Sequence, residues 1–243
     1  MSFTAHDLTE TSRELRSEIG RLLSKPTEPD VLLGNHPLSV FASQKQSIAI
    51  WHGTRIENHL ADWIGKFSAW SAKPRERISI QSTTYEIDNL AWSASLGLVV
   101  AVEAKRVWSN QDKSSKGEVK QKKDLYTKAA NSQLIAAHVG QPGAAFRHFV
   151  FDAYGNTKKG RNGLSVIAGD KIEGVFGHTF AKYVRWEQKV LANALFVQLE
   201  QQQSVDLAGE ERLTQDVLAD LPMGSVTRSL REVLKFIDEH ASP

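Results

Sequence analysis

The stretch Tyr85–Trp108, YEIDNLAWSASLGLVVAVEAKRVW, decides the fold of this chain. It predicts a β-hairpin with a first arm over Tyr85–Trp92, a turn over Ser93–Gly97 and a second arm over Leu98–Trp108. The second arm opens with the apolar run LVVAV, which suits a strand buried on both faces. The hairpin therefore predicts a core strand beside a partner strand.

The second arm ends in charged residues. Side chains alternate along a strand, so Glu103 and Lys105 point to the same side. Burying such charges is costly unless they are paired or bind an ion. On the first arm, Asp88 lies among apolar residues, and the hairpin brings it opposite the end of the second arm. Two acids and a lysine are therefore expected to meet at one strand end.

This combination of residues has a chemical use. Two neighbouring carboxylates repel each other, and a divalent cation removes the repulsion. Carboxylate oxygens, completed by waters and a phosphate, suit Mg²⁺. A metal ion there polarises a phosphodiester and lowers the pKa of a bound water. A nearby lysine orients that water, or accepts its proton if the pKa of the lysine is depressed.

Asp88, fourteen further residues and then Glu103-Ala104-Lys105 resemble the core motif of the PD-(D/E)XK nuclease superfamily. This superfamily includes many restriction endonucleases and Holliday-junction resolvases. The resemblance covers roughly residues 55–167, and Ile87 stands where the nominal motif has proline.

The resemblance implies a role for each residue of the motif. Asp88 and Glu103 would hold Mg²⁺ with help from the Ala104 carbonyl, and Mn²⁺ would serve as a substitute. Lys105 would position the attacking water and stabilise charge on the phosphate.

The E-x-K pattern alone has little specificity, because it occurs three times, as Glu103-Ala104-Lys105, Glu118-Val119-Lys120 and Glu187-Gln188-Lys189. The second and third copies lie in polar stretches that read as helix and are interpreted as solvated charges. Only the first copy stands at the end of an apolar strand and has an acid, Asp88, on the preceding strand of the same hairpin. The alternative to a metal site at this first copy is a purely structural role, in which the charges form salt bridges where the strand ends at a sheet edge.

A glutamate from the preceding helix is also implied by the resemblance. Residues 54–70 predict an amphipathic helix, and Glu57 is the best match for an acid that reaches the active site. The alternative is that Thr54 caps this helix and Glu57, three residues on, completes a capping box outside the site.

Basic residues follow the hairpin in two places. Residues 109–117 are predicted as a polar loop, and residues 118–138 as a helix on which Gln121 loosely matches a metal-supporting position of the superfamily. A second basic segment lies between predicted strands at 146–153 and 164–168. The candidate nucleic-acid-binding residues are Lys113, Lys116, Lys120, Lys123, Lys158, Lys159 and Arg161. The alternatives are a solvated helix face and a solvated hairpin turn.

The composition sets limits on the class of protein. The chain has 243 residues, 41% hydrophobic content, a net charge of +2 and no cysteine. No apolar run is long enough for a membrane span. These features favour a cytoplasmic protein of one domain over residues 1–243. The pattern of predicted elements places an N-terminal helix and connector at 1–47 and C-terminal helices at 178–241, and the resemblance implies a catalytic core at 54–168.

The expected fold is α/β, with a restriction-endonuclease-like core of a mixed β-sheet flanked by helices and extra terminal helices. The expected function is that of a Mg²⁺-dependent endodeoxyribonuclease, a homodimeric defence enzyme of the type II restriction kind. Two alternatives stay open: a repair, recombination or mobile-element nuclease, and a non-catalytic nucleic-acid-binding member. The target sequence or structure, the cleavage position, the choice between DNA and RNA, the oligomeric state and the biological pathway also stay open.

Overall fold

A computed structural model describes residues 4–23, 53–158, 160–198, 202–220 and 226–241. Within these ranges the elements are, in chain order, α1 Ala5–Leu23, α2 at residues 53–67, β1 Ser71–Ile80, β2 Thr83–Ser93, β3 Leu98–Lys105, α3 Lys113–Tyr126, α4 Ala129–His138, β4 Ala145–Asp152, β5 Ser165–Ala168, α5 Glu173–Phe176, α6 Ala181–Gln198, α7 Leu207–Asp220 and α8 Leu230–Glu239. The predicted connector between α1 and α2 lies outside the described residues.

The five strands form one mixed sheet, in which they lie in the order of the chain. β1, β2 and β3 make an antiparallel meander. β4 pairs in parallel with β3, and β5 pairs in parallel with β4. The predicted α/β class with a mixed sheet is therefore confirmed.

β3 is a central strand, because β2 and β4 border its two edges. Every residue from Leu98 to Ala104 is buried, as the β-branched apolar run predicts. The strand ends at Lys105 rather than at Trp108, which begins a short 3-10 turn. The charged end of β3 therefore lies inside the sheet. The alternative to a metal site, a salt-bridged strand end, had placed these charges at a sheet edge.

The helical region after β3 differs from its prediction. α3 begins at Lys113, so more than half of the predicted polar loop 109–117 is helical. Asp112 makes this start possible, because its carboxylate accepts the N–H of Ser115 at 2.7 Å. The predicted single helix 118–138 is also broken after Tyr126, where Asn131 donates its side-chain amide to the carbonyl of Leu125 at 2.8 Å.

The basic segment between β4 and β5 is not a hairpin turn. These strands are parallel, and a hairpin joins antiparallel strands. The chain therefore has to return along the sheet between Asp152 and Ser165. Periodicity predicts each strand by itself but carries no information on the relative direction of two strands.

The chain is divided into two compact units. One comprises Met1–Thr54 and Lys182–Met223, and the other comprises Arg55–Ala181 and Gly224–Pro243. The second unit holds the whole sheet. The prediction that residues 1–243 form one domain stays a prediction.

The first unit is helical in its described part. Arg16 of α1 forms an ion pair with Glu210 of α7. Trp186 of α6 donates its indole N–H to the Thr214 hydroxyl of α7 at 2.9 Å. None of the described helices in either unit has the length and apolar character that crossing a membrane requires.

Candidate active site

The β2–β3 ladder ends just before the predicted carboxylates. The last backbone pair towards this end is Asn89 with Val102. Beyond it, the Asp88 side chain takes the place of a backbone acceptor, and its Oδ2 accepts the N–H of Ala104 at 3.1 Å. This hydrogen bond holds the Asp88 carboxylate beside the end of β3.

The ammonium group of Lys105 lies among three carboxylates. Its Nζ is 2.9 Å from Asp88, 3.4 Å from Glu57 and 3.8 Å from Glu103. The structure thus brings together all four side chains that the sequence predicted for the catalytic site. We call these four residues the carboxylate cluster.

Glu57 reaches the cluster from α2. Its backbone carbonyl accepts the side-chain amide of Asn89 at 2.8 Å, which ties this helix to β2. Residue 53 is already helical, so Thr54 lies within α2 and is not its N-cap. The capping-box alternative is therefore wrong. Burial, followed by the negative charge of Asp88, raises the pKa of Glu57.

Glu103 is the most buried acid of the cluster, with 1% of its surface exposed. Its two carboxylate oxygens accept hydrogen bonds from Lys122 of α3 at 3.2 Å and 3.3 Å. Burial and the nearby charge of Asp88 outweigh the attraction of the lysines and raise the pKa of Glu103 to about 7. Glu103 therefore titrates close to neutral pH.

Lys105 is held in its charged form. Burial disfavours the ammonium, but the combined attraction of Asp88, Glu103 and Glu57 outweighs it and raises the pKa of Lys105 above its usual value. A protonated lysine donates hydrogen bonds and stabilises negative charge. In this arrangement Lys105 is suited to orienting water or phosphate and not to accepting a proton.

The charges of the site leave room for a divalent cation. Three carboxylates meet two ammonium groups, from Lys105 and Lys122, so the fully ionised set carries an excess negative charge. In the described part of the chain, no three or more His, Cys, Asp or Glu side chains form a group that could hold a metal ion. Mg²⁺ needs no such cage, because it binds through one or two carboxylates, waters and substrate phosphates. Asp88 and Glu103 fit that requirement.

Lys122 contacts the carboxylate cluster through Glu103 but is not among the predicted site residues. Val119, Lys122 and Tyr126 follow at helical spacing, and this face of α3 turns towards the sheet, with Val119 and Tyr126 buried. Gln121, predicted to support the metal, is exposed one position away. The helical period between Val119 and Tyr126 is the signal that points to Lys122.

A second buried acid, Asp152, organises the loops beside the cluster. It ends β4 opposite Lys105 and is fully buried. Its carboxylate accepts the backbone N–H of Trp108 at 2.7 Å and that of Thr157 at 3.3 Å. Asp152 thus connects the turn after β3 with the basic segment after β4.

The predicted nucleic-acid-binding residues are only partly brought together. Lys159 lies outside the described residues. Lys116, Lys120 and Arg161 line one cavity, whereas Lys113 and Lys158 are exposed and do not line it. Lys123 is partly buried and lies 3.4 Å from Asp124.

The other two E-x-K copies have different surroundings. Glu118 and Lys120 are solvated, as predicted, with 70% and 48% of their side chains exposed. The prediction is wrong for Glu187, which is fully buried in α6. Lys189 remains partly exposed and lies 2.8 Å from Asp206.

No protein-family model matches this chain, and no curated protein matches it. The function is therefore inferred from the geometry of the site.

Proposed function

We propose that this protein is a Mg²⁺-dependent endodeoxyribonuclease that hydrolyses phosphodiester bonds in DNA. The observation that carries the proposal is the convergence of Asp88, Glu103 and Glu57 on Lys105 at the end of a central strand. The element order of α2, a three-stranded meander, helices and a parallel strand agrees with the order that the PD-(D/E)XK resemblance implies. A restriction-type defence role in the cytoplasm, as a homodimer with one site for each strand, belongs to this proposal.

Each residue of the cluster has a role in this proposal. Asp88 and Glu103 would hold the ion with help from the Ala104 carbonyl, and Glu57 would either bind it through water or hold a second ion. A bound Mg²⁺ supplies polarisation of the phosphodiester and a bound water of lowered pKa.

Lys105 acts as a hydrogen-bond donor in the same scheme. Its three carboxylate neighbours keep it protonated. It donates to the attacking water or to a phosphate oxygen and stabilises the negative charge that develops there. Lys122 orients the Glu103 carboxylate through hydrogen bonds to both of its oxygens.

The test is cleavage of supercoiled plasmid and phage DNA with Mg²⁺, Mn²⁺ or EDTA. We expect wild type to cut only with a divalent ion and Lys105→Ala not to cut. The matched control is Lys189→Ala, which removes the lysine of another E-x-K copy in α6. Discrete fragments support the restriction role, and a smear supports the nuclease chemistry without it. Equal cutting by wild type and Lys105→Ala would refute the assignment.

One observation favours a second candidate, a non-catalytic nucleic-acid-binding protein. Each carboxylate already has a lysine partner, so the cluster forms an ion-pair network from its own side chains. Calorimetry separates the two candidates, because a binding module needs no ion. DNA binding without Mg²⁺ binding and without cutting of linear or branched DNA would favour this second candidate. Cutting of branched DNA alone would favour a repair or recombination nuclease.

A further inference from the structure

A cavity of about 440 Å³ lies next to the carboxylate cluster. Its walls come from the turn after β3, from α3 and from the segment between β4 and β5. Trp108 follows Lys105 by three residues, so their Cα atoms are at most about 11 Å apart. Two residues that line the cavity, Trp108 and Thr157, donate their backbone N–H groups to Asp152, which is the register partner of Lys105.

The rim of this cavity is cationic. Lys116, Lys120 and Arg161 line it, and no acidic side chain of the described residues does. Asp124 lies 3.6 Å from Lys120, but both side chains are about half exposed, so the pair is weak. Within the described ranges, the Arg161 guanidinium has neither a hydrogen bond nor an ion pair.

Lys116 is held in place at this rim. Its Nζ donates to the Ser109 carbonyl at 3.2 Å and lies 5.7 Å from the centre of the Trp108 ring. One cation is therefore already positioned, which lowers the entropic cost of binding an anion.

Two buried apolar side chains belong to the lining of the cavity. Trp108 and Leu164 line it and pack in one hydrophobic cluster with Val150. The turn that carries Trp108 is fixed through the hydrogen bond from its backbone N–H to Asp152. A cationic rim above an apolar wall matches the two parts of a nucleotide, a phosphate and a base or sugar.

We propose that this cavity binds one nucleotide of the DNA strand, adjacent to the phosphodiester held at the carboxylate cluster. Its phosphate contacts Lys116, Lys120 and Arg161. Its base or sugar packs against Trp108 and Leu164. This inference rests on the proposed function, because the strand has to pass the cluster to reach the cavity.

The experiment measures binding of thymidine 5′-monophosphate to the full chain by calorimetry, in EDTA and at low salt. Thymidine and inorganic phosphate are the comparison ligands. Lys116→Gln/Arg161→Gln removes two charges at the rim. Ser109→Phe fills the cavity without changing charge, and Ser109 is exposed, so the chain tolerates a larger side chain there. Lys235→Gln is the matched surface control, at a lysine with 73% of its side chain exposed.

We expect the nucleotide to bind more tightly than either comparison ligand. The double variant and Ser109→Phe should each weaken nucleotide binding at least about tenfold, and Lys235→Gln should not change it. If only the double variant weakens binding, the nucleotide is attracted by the positive charge of the surface and does not occupy the cavity. That result would overturn the proposal. Equal binding of inorganic phosphate, or no nucleotide binding, would overturn the nucleotide assignment.

The nucleotide-binding experiment and the DNA-cleavage experiment can fail independently of each other. Nucleotide binding in EDTA requires neither a metal nor cleavage. Nucleotide binding with the expected variant pattern but without any cleavage would refute the nuclease and retain the cavity. Metal-dependent cleavage with unchanged nucleotide binding in Ser109→Phe would retain the nuclease and refute the cavity.

Discussion

The two carboxylate oxygens of Glu103 lie 3.2 Å and 3.3 Å from the ammonium nitrogen of Lys122. The acid is at the end of a central strand, and the lysine is on the helix that covers it. Because Glu103 is almost completely buried, this contact decides how much of its negative charge the folded protein can tolerate.

Replacing Lys122 by methionine removes the charge and keeps the length of the side chain. At pH 8 the ionised Glu103 is then left with Lys105 alone, and we expect the free energy of unfolding to fall by about 2–4 kcal/mol. At pH 5.5 Glu103 is protonated, so the loss is smaller. Urea denaturation at both pH values measures this. Lys120→Met on the same helix is the control and should change stability by less than about 1 kcal/mol. Equal losses at the two pH values would contradict the assigned partner.

The pKa of Glu103 makes stability depend on pH in a defined direction. The value is about 7 in the folded protein and 4.5 ordinarily, so the folded state binds this proton more tightly than the unfolded chain. Its contribution is fully present below pH 4.5 and is lost as the pH rises through 7. Glu103→Gln does not titrate. We expect wild-type stability relative to this variant to fall by on the order of 3 kcal/mol between pH 4.5 and pH 8. A difference that stays constant across this range would argue against the raised pKa.

Mg²⁺ binding should increase with pH. The ion competes with the proton on Glu103, so calorimetry should give weaker Mg²⁺ binding at pH 6 than at pH 8. At pH 8 saturating Mg²⁺ should raise the melting temperature of wild type, because it binds the folded state. Asp88→Asn should lose both effects, and the control Asp216→Asn, at an exposed acid of α7, should retain them. Mg²⁺ binding that is insensitive to Asp88→Asn would place the ion elsewhere.

Two substitutions of Asp88 separate its roles in structure and chemistry. Asparagine retains an oxygen that accepts the Ala104 N–H but loses the charge that faces Lys105. Alanine also leaves that N–H without its acceptor, at a cost of about 1–3 kcal/mol. We expect neither variant to cut plasmid DNA, and only Asp88→Ala to show a clearly lower free energy of unfolding in urea. Cutting by Asp88→Asn at the wild-type rate would exclude a metal-binding role for this carboxylate.

We predict that the loops beside the cluster need glycine at position 155, because a larger residue would disturb Asp152. A Cβ at this position would overlap the Asp152 carboxylate. Gly155→Ala should displace that carboxylate from the backbone N–H groups of Trp108 and Thr157. We expect lower stability in urea and loss of nucleotide binding at the cavity. Gly117→Ala, where a Cβ has open space, is the control. Unchanged nucleotide binding in Gly155→Ala would show that Asp152 does not hold this region.

Several features of the site follow from local sequence. The alternation of side chains along β3 puts Glu103 and Lys105 on one side, and the hairpin brings Asp88 to the same end. Both effects depend on the covalent geometry of an extended chain and on a short turn. They need no knowledge of the rest of the molecule, which is why this part of the cluster could be predicted.

Only the tertiary structure decided the remaining contacts. Glu57 had two possible positions, and the packing of α2 on β2 selected the one at Lys105, 48 residues further along the chain. The choice of Lys122 over Gln121 depends on the rotation of α3 about its axis.

The cavity and the direction of β5 also come from the tertiary structure. Lys116 and Arg161 meet because β4 and β5 are parallel and the intervening segment returns across the sheet. Local periodicity determines which side of an element is apolar. It does not determine which distant element covers that side, because that choice depends on the packing and hydrogen bonding of the whole unit.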